Sequence, residues 1–340
     1  MISQKIVKIY TKGAGAYGVS VIVDNLLRIL HNNDIEASCV HDLTGFTSKD
    51  LVIPYGVKES AEIINSDVST DIAMLVDAVS LGYYNKIGFY LKRGMFFKKD
   101  FWYSIYAYIR YSKLEKFVCK NFSRIMVVSA VDADYLAKNS KQPIEKFLVV
   151  KNGSLLPLKV EGKKRSVTFR VGLLSSWFAY QVYEESNWFV RDYFRRYIED
   201  NPSCELCIAG RGPFAKQFEG LENVVIQGEV DDLNEFFSYI DVFVAVNPKG
   251  CGILNRVLDA FAYKTPVLAL EASMSGFPNS SDICCTFTDY NSFVNALNNL
   301  RKDRILRENL VVKACYYLKE NADWEKNYSQ FVKLIKNNLD

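Results

Sequence analysis

The sequence predicts an α/β protein made of two tandem domains, each a parallel, doubly wound sheet covered by helices. Three observations carry this prediction. Short β-branched runs alternate with amphipathic stretches along the chain. Glycine-bearing loops follow strand-like runs at KGAGAYG and again at PKGCG. The polar segment KVEGKKRS separates two copies of the pattern. A chain of 340 residues also exceeds what one core usually holds. The boundaries are placed at 1–160 and 161–322, with 323–340 expected to be a C-terminal helix packing back on the first domain.

In the first half, IVKIY (6–10) reads as a strand. A helix follows in which Val19, Ile22, Val23, Leu26 and Leu30 share one face. Between them Gly13, Gly15 and Gly18 spell G-x-G-x-x-G, the setting of a dinucleotide fingerprint, and Asp42 after SCVH is an acid that could close the second strand. The same glycines suit other nucleotide or sugar-nucleotide folds, or a tight turn that merely lets strand and helix pack. LVIPYGV comes next. IAMLV (72–76) is then a buried strand that delivers Asp77 to its carboxyl end, where α/β sheets handle ligands. A loop carboxylate without a role would occupy the same position. RIMVV is a strand, Ser129 with Asp132 is a capping box for the helix VDADYLAKN, and FLVVKNG is a strand ending in an Asn152–Gly153 turn.

Residues 83–120 change character. Lys86, Lys92, Arg93, Lys98, Lys99, Arg110, Lys113 and Lys116 are interleaved with Phe89, Tyr90, Phe96, Phe97, Phe101, Trp102, Tyr103 and Tyr106. Cations for lipid phosphates and rings for the interface, with Lys92, Arg93, Lys98, Lys99 and Trp102 at the centre, suit an anionic membrane surface. Nucleic acid uses similar chemistry through stacking. Ordinary helix core with solvated lysines is the plain alternative.

In the second half TFRVGLL is a strand, ESNWFVRDYFRRYIED a helix, and CELCIAG a strand ending in Gly210, Arg211, Gly212 and Pro213. NVVIQG is a strand and DDLNEFFSYI a helix. VFVAV (242–246) is a strand that stops at Asn247 and Pro248. Gly250 and Gly252 open a loop, after which Leu254, Val257, Leu258, Phe261 and Ala262 follow helical spacing. Lys264 suits a helix C-terminus, Pro266 blocks continuation, and VLAL (267–270) is the next buried strand. In a parallel sheet such a loop lies at the carboxyl edge, and the helix behind it offers amides to an anion such as a pyrophosphate. KDRILRENLVVKACYYLKENAD and WEKNYSQFVKLIKNNL are closing helices. Two Rossmann-like domains follow from the pattern.

Composition narrows the chemistry. A net charge of +3 argues against a generally basic nucleic-acid binder. The eight cysteines sit in apolar segments, as reduced cytosolic thiols do; Cys204 and Cys207 lie three apart on a predicted strand, so they face opposite sides, and no second pair completes a zinc site. Of two histidines, His31 ends the first helix and His41 follows ASCV; neither has partners for a triad or a metal site. MISQKIVKIY enters a strand directly, and lysines and arginines break every apolar run well short of the roughly 18–20 residues of a span. The expectation is a cytoplasmic protein that is not integral to a membrane.

FRVGLLSSW, ELCIAGRGP, VVIQGEVDDLNEFFSYIDVFVAV, GCGILNRVLDAFAYKTPVLAL and DWEK, in that order over 168–326, resemble the nucleotide-sugar domain of glycosyltransferase family 4, retaining enzymes of the GT-B fold. The first glycine loop, LVDAVSL, RIMVVSAVDADYL and VVKNGS more loosely resemble the family's acceptor domain. The resemblance implies two parallel sheets facing across a cleft. It implies transfer of a sugar from a nucleoside-diphosphate donor of UDP or GDP type to a glycan or polyprenyl-linked acceptor, with no required cofactor or metal and no nucleic-acid partner. The family carries two acids eight positions apart. Asp259 matches the second, which contacts the donor ribose, and Cys251 stands in place of the first, as in a subgroup with G-x-G-I and a basic residue matching Arg256. The family's cations after the first strand of this domain have no counterpart in LLSSWFAYQ. A family histidine at a first-domain strand end is matched by Asp77. Gly13, Gly15 and Gly18 match the loop that lets backbone approach the donor phosphates.

A departing nucleoside diphosphate builds negative charge, which cations and helix amides stabilise. Arg256 and Arg211 are candidates for this work, with the amides of Gly252, Ile253 and Leu254; Asn247, Gly250 and Cys251 complete the donor loop. Asp77, Arg256 and Asp259 are the candidate catalytic residues. The expected role is bacterial surface polysaccharide synthesis, such as lipopolysaccharide or capsule, with the basic aromatic segment on the inner leaflet of the cell membrane. A nicotinamide- or flavin-dependent oxidoreductase using the first loop, and a non-catalytic sugar-nucleotide-binding relative, are the competing readings.

Overall fold

The computed structural model describes residues 6–13, 17–44, 46–47, 50–154, 167–178 and 180–339. Gly15 and the segment KVEGKKRS lie outside the described residues.

Along the first half run β1 (Val7–Tyr10), α1 (Tyr17–Asn32), β2 (Ala37–Val40), β3 (Leu51–Pro54), α2 (Val57–Ile64) and β4 (Ile72–Val76). Then come α3 (Val79–Lys92), α4 (Lys99–Asn121), β5 (Arg124–Val127), α5 (Ala130–Ser140) and β6 (Phe147–Val149). The second half has β7 (Phe169–Leu174), α6 (Tyr180–Trp188), α7 (Arg195–Asp200), β8 (Cys204–Ala209), β9 (Val224–Gly228), α8 (Leu233–Tyr239) and β10 (Val242–Ala245). It closes with α9 (Asn255–Ala262), β11 (Val267–Leu270), α10 (Ser280–Ile283), β12 (Cys285–Phe287), α11 (Tyr290–Lys302), α12 (Arg304–Asn321) and α13 (Trp324–Leu339).

Two compact units result. One takes Met1–Asn152, Cys251–Ile253 and Asp323–Asp340; the other takes Gly153–Gly250 and Leu254–Ala322. In the first unit β2-β1-β3 and β4-β5-β6 are parallel sheets, joined by a bridge between Tyr55 and Met74. The order therefore reverses beside β1, which makes the carboxyl ends of β1 and β3 a topological switch point. Successive strand residues face opposite sides, so two cores form. Val7, Ile9 and Met74 pack with Leu26 of α1 and with Tyr328, Phe331 and Ile335 of α13, while Tyr10, Ala73 and Leu75 pack with Val118, Phe122 and Leu136. The helix α13 belongs to this unit because its apolar side chains recur at helical spacing and are buried there.

The second unit has a single parallel sheet in the order β12-β11-β10-β7-β8-β9. Counted from β7, this is the dinucleotide-binding order 3-2-1-4-5-6 read from the β9 edge, with the switch point between β7 and β10. Cys204 and Cys207 are fully buried on β8. Burial pushes both thiols up, Cys204 to about 12, so neither is a ready nucleophile at neutral pH.

Two elements differ from expectation. The helix predicted over ESNWFVRDYFRRYIED starts earlier, at Tyr180, and is interrupted by a π-helical stretch at Phe189–Phe194. Phe189 and Tyr193 of this stretch both meet Phe293, with ring centroids 5.4 and 5.6 Å apart. The second is α2, which follows Gly56 in a stretch where the sequence pattern marks no helix. Among the described residues no helix is long and apolar enough to cross a membrane.

Candidate functional site

In the second unit, chemistry gathers at the β7/β10 switch point. β10 ends in Val246 and gives way to Asn247, whose N–H donates to Ser273 Oγ at 2.7 Å and whose Oδ1 accepts from the Lys249 N–H at 2.9 Å. Gly250 and Gly252 take left-handed backbone, φ 56° and 67°, and α9 starts at Asn255 behind an N-cap, Leu254, that has no side-chain cap to offer. Arg256 lies in the first turn. Its Nη1 donates to Ser175 Oγ at 2.9 Å and lies 3.4 Å from Leu174 O, so the guanidinium spans from α9 to the carboxyl end of β7. Burial pulls its pKa down and Glu185 opposes that; an arginine so placed keeps its charge at neutral pH. Asp259 is one turn further along α9 and half-buried.

Glu185, whose charge acts on Arg256, holds a second cation. Lys249 Nζ is 2.8 Å from Oε1 of Glu185, a nearly buried carboxylate on α6. Sequence reasoning missed Lys249, Glu185 and Ser175. Lys249 sits inside the PKGCG loop already singled out, whereas nothing in LLSSWFAYQ or the start of α6 marks Ser175 or Glu185 as facing that loop.

Arg211 is different. Its side chain is 70% exposed and its Nε is 3.3 Å from Glu229, so it reaches a neighbouring strand end rather than the Arg256 cluster. It lines a cavity of about 370 Å³ with Gly210, Gly212, Lys216, Gln227 and Glu229. The loop after β7 closes down on these glycines: Trp177 donates from N to Arg211 O at 2.7 Å and from Nε1 to Ala209 O at 2.8 Å. A Cβ on Gly210 would lie 1.8 Å from Ser175 O, and one on Gly212 would lie 2.3 Å from the Trp177 carbonyl carbon. The GRGP sequence is therefore a requirement of close backbone approach.

In the first unit, Gly13 donates from N to Thr11 Oγ1 at 3.1 Å, just past β1. Gly18 was read as part of the loop; it falls inside α1, which already begins at Tyr17. Asp42 bonds within its own turn. Its carboxylate accepts from the N–H of Thr44 at 2.9 Å and from its hydroxyl at 2.5 Å, which lowers its pKa. His41 Nδ1 is 2.8 Å from Thr11 O and His31 Nε2 is 3.0 Å from Ala37 O.

Asp77 follows β4 and is half-buried. Cys251 and Gly252 are grouped with this unit: Cys251 Sγ is 4.0 Å from Asp77 Oδ2, and the Gly252 N–H donates to Asp132 Oδ2 at 3.1 Å. Ile253 packs against the core shared by β1, α1 and α13. The structure thus brings Asp77 and Cys251 together, and separately brings Arg256, Lys249 and Asn247 to one sheet edge.

The basic aromatic segment forms the α3–α4 pair. Trp102, Phe97, Phe96, Tyr106, Tyr84 and Leu91 are exposed, Phe97 by 80%. Lys92 and Lys99 are exposed, Lys98 is half-buried, and Arg93 lies over the Phe89 ring at 3.9 Å. One assignment needs correction. Lys86 is fully buried, its Nζ 2.6 Å from Asp100, which also accepts from the Tyr90 hydroxyl at 2.6 Å, so it is a core ion pair and contributes no surface charge.

Residues 170–303 match the family model described as glycosyl transferases group 1. No curated protein matches in sequence. HepE from Anabaena, solved with UDP and glucose, shares 13% identity at a TM-score of 0.64, over 98% of this chain and 99% of that one. WaaG, a glycosyltransferase involved in lipopolysaccharide biosynthesis, shares 12% at 0.62 over 97% and 99%. TarM from S. aureus shares 13% at 0.58 over 85% of this chain, which spans 55% of the length of TarM. These likenesses establish the fold as that of the GT-B glycosyltransferases.

Proposed function

We propose that this chain is a retaining glycosyltransferase that takes its sugar from a nucleoside-diphosphate donor, of UDP or GDP type, bound at the β7/β10 edge of the second unit. The observation that carries this reading is Arg256, held between the first turn of α9 and Ser175, with Lys249 on the same Glu185 whose charge acts on it. Cleavage of the bond from the sugar to the diphosphate leaves negative charge on the leaving oxygen. A fixed guanidinium, an ammonium and the first amides of α9 stabilise that charge without needing to reorganise. The group 1 match over residues 170–303 supports the same reading. So does HepE, whose structures hold UDP and UDP-glucose. Asp259 is proposed for the donor ribose, and Gly13 with its loop for the donor phosphates. The acceptor, a glycan or polyprenyl-linked sugar in surface polysaccharide synthesis, is proposed to meet Asp77.

The exposed rings and cations of α3 and α4 support docking on the anionic inner leaflet. Vesicles containing anionic lipid should sediment the protein at low salt, and Phe97→Ser with Trp102→Ser should release it. Equal sedimentation of the variant sinks this part.

Thermal shift tests the donor. UDP, GDP or UDP-glucose should raise the melting temperature; stabilisation by NADH alone would point to an oxidoreductase. Arg256→Ala should lower release of nucleoside diphosphate by about 10²–10³-fold, and Asp259→Ala should abolish it. Release should persist in EDTA, because side chains supply the positive charge. A chain that binds UDP-glucose but releases no UDP with any glycan or lipid-linked acceptor would be a binding protein instead.

A further inference from the structure

The end of β4 is strained. Val76 has φ 69°, left-handed backbone that a β-branched residue adopts only under strain. The register of β4 on β5 shifts between Met74 and Val76, and the Asp77 N–H turns back to Leu75 O at 2.9 Å. The next residue after the strain is Asp77 itself, and α3 begins immediately beyond with Ala78 as its N-cap, a residue with no side chain to cap with.

Two carboxylates from distant elements do that work. Asp132 of α5, fully buried, accepts from the Ala78 N–H at 2.9 Å, the Gly252 N–H at 3.1 Å and the Ser129 hydroxyl. Glu115 of α4, 1% exposed, accepts from the Ser80 N–H at 2.9 Å and from the Ser80 hydroxyl, whose oxygen is also 3.0 Å from the Tyr135 hydroxyl. A serine or aspartate at position 78 would cap α3 locally at little cost. Burying two carboxylates is expensive unless every acceptor is used, and here they tie three elements to one short turn.

We infer that Asp132 and Glu115 are positioning residues: by holding the amides of Ala78 and Ser80 they keep Val76 left-handed and fix the direction of the Asp77 carboxylate during sugar transfer. This rests on the proposed placement of Asp77 in the acceptor site. Loss of either anchor lets the turn relax toward ordinary backbone, and the carboxylate of Asp77 swings from its aim; loss of Glu115 does this with the donor loop untouched, whereas loss of Asp132 also frees the Gly252 amide.

The test pairs hydrogen exchange of residues 76–80, read by mass spectrometry, with release of UDP from UDP-glucose in water by the full chain. Glu115→Ala and Asp132→Ala should each quicken exchange and lower kcat by at least about tenfold, and in Glu115→Ala, which leaves the Gly252 amide its partner, KM for UDP-glucose should stay within about twofold. Glu115→Gln, which keeps an acceptor for Ser80, should retain slow exchange and most of kcat. Adding Val76→Gly to Glu115→Ala should restore both, because glycine takes the left-handed turn without strain; a merely structural role for Glu115 gives no such rescue. Ser80→Ala, which removes one hydroxyl, keeps the test decisive if a truncation does not fold: faster exchange with lower kcat supports the inference. Unchanged exchange and kcat in the folded variants, or a loss confined to KM, overturns it. Wild-type protein that neither binds nor hydrolyses UDP-glucose or a GDP-sugar overturns the donor reading instead, and wild-type kcat in Asp77→Ala overturns the placement of Asp77.

Discussion

Gly210 and Gly220 have the same residue type and both take positive φ, 117° and 76°, yet they should respond differently to alanine. Gly210→Ala drives a methyl into Ser175 O, so a loss of more than about 3 kcal/mol is expected in urea unfolding. At Gly220 a Cβ meets nothing within 4 Å, and the backbone preference alone costs about 1 kcal/mol. Glu115 offers a prediction of another kind. Burial, with Asp77 and Asp132 adding to it, raises its pKa to about 7 from the ordinary 4.5. The fold therefore favours the protonated form: that contribution is fully present below about pH 4.5 and is lost as pH rises through about 7, up to about 3 kcal/mol. Glu115→Gln cannot titrate, and its melting temperature should fall less than that of the wild type between pH 5 and 8. Neither effect is visible in sequence. GRGP and a lone glutamate on a helix face announce no neighbours, because Ser175, which crowds Gly210, and Ser80, which bonds Glu115, are each 35 positions away.

At the level of elements, local signals were legible where they are local in physics. Ser129 caps α5 as its spacing required, with the Asp132 N–H donating to Ser129 Oγ at 3.2 Å, but the expected box is half made, because the Asp132 carboxylate turns to the Ala78 and Gly252 amides. At α11 the cap between Asp289 and Ser292 is reciprocal and exposed, so Asp289→Ala should cost about 1 kcal/mol in urea unfolding and leave UDP binding unchanged. The π-helical stretch at Phe189–Phe194 escaped because periodicity reports which residues are apolar, whereas the width of a turn is decided by the rings they meet, here Phe287 and Phe293. The α3–α4 pair reads both ways. Its exposed rings follow from composition, but Lys86 looks in sequence like any other lysine and is buried because Asp100 lies one helix away.

For the molecule as a whole, α13 is the informative element. It ends the chain yet fills the core of the first unit with Trp324, Tyr328, Phe331, Val332 and Ile335, each at most 9% exposed. At about 1.5–3 kcal/mol per buried side chain, these rival the roughly 5–15 kcal/mol by which a domain is stable. A chain stopped after Asp323 should lose protease resistance in the first unit and keep it in the second. The exposed Arg28–Glu325 pair at 3.0 Å adds little to this. The sequence by itself determined the alternation of strands and helices, the parallel sheets, the strand–glycine-loop–helix with Arg256 and Asp259, and the exposed aromatic face, because each is a matter of periodicity or of residues close together in the chain. The tertiary structure alone decided that Arg256 bonds Ser175, that Lys249 is held on Glu185, and that Glu115 and Asp132 grip the turn before Asp77. Those pairings join strand ends and helices far apart in the chain, and nothing short of folding the sheets brings them within hydrogen-bonding distance.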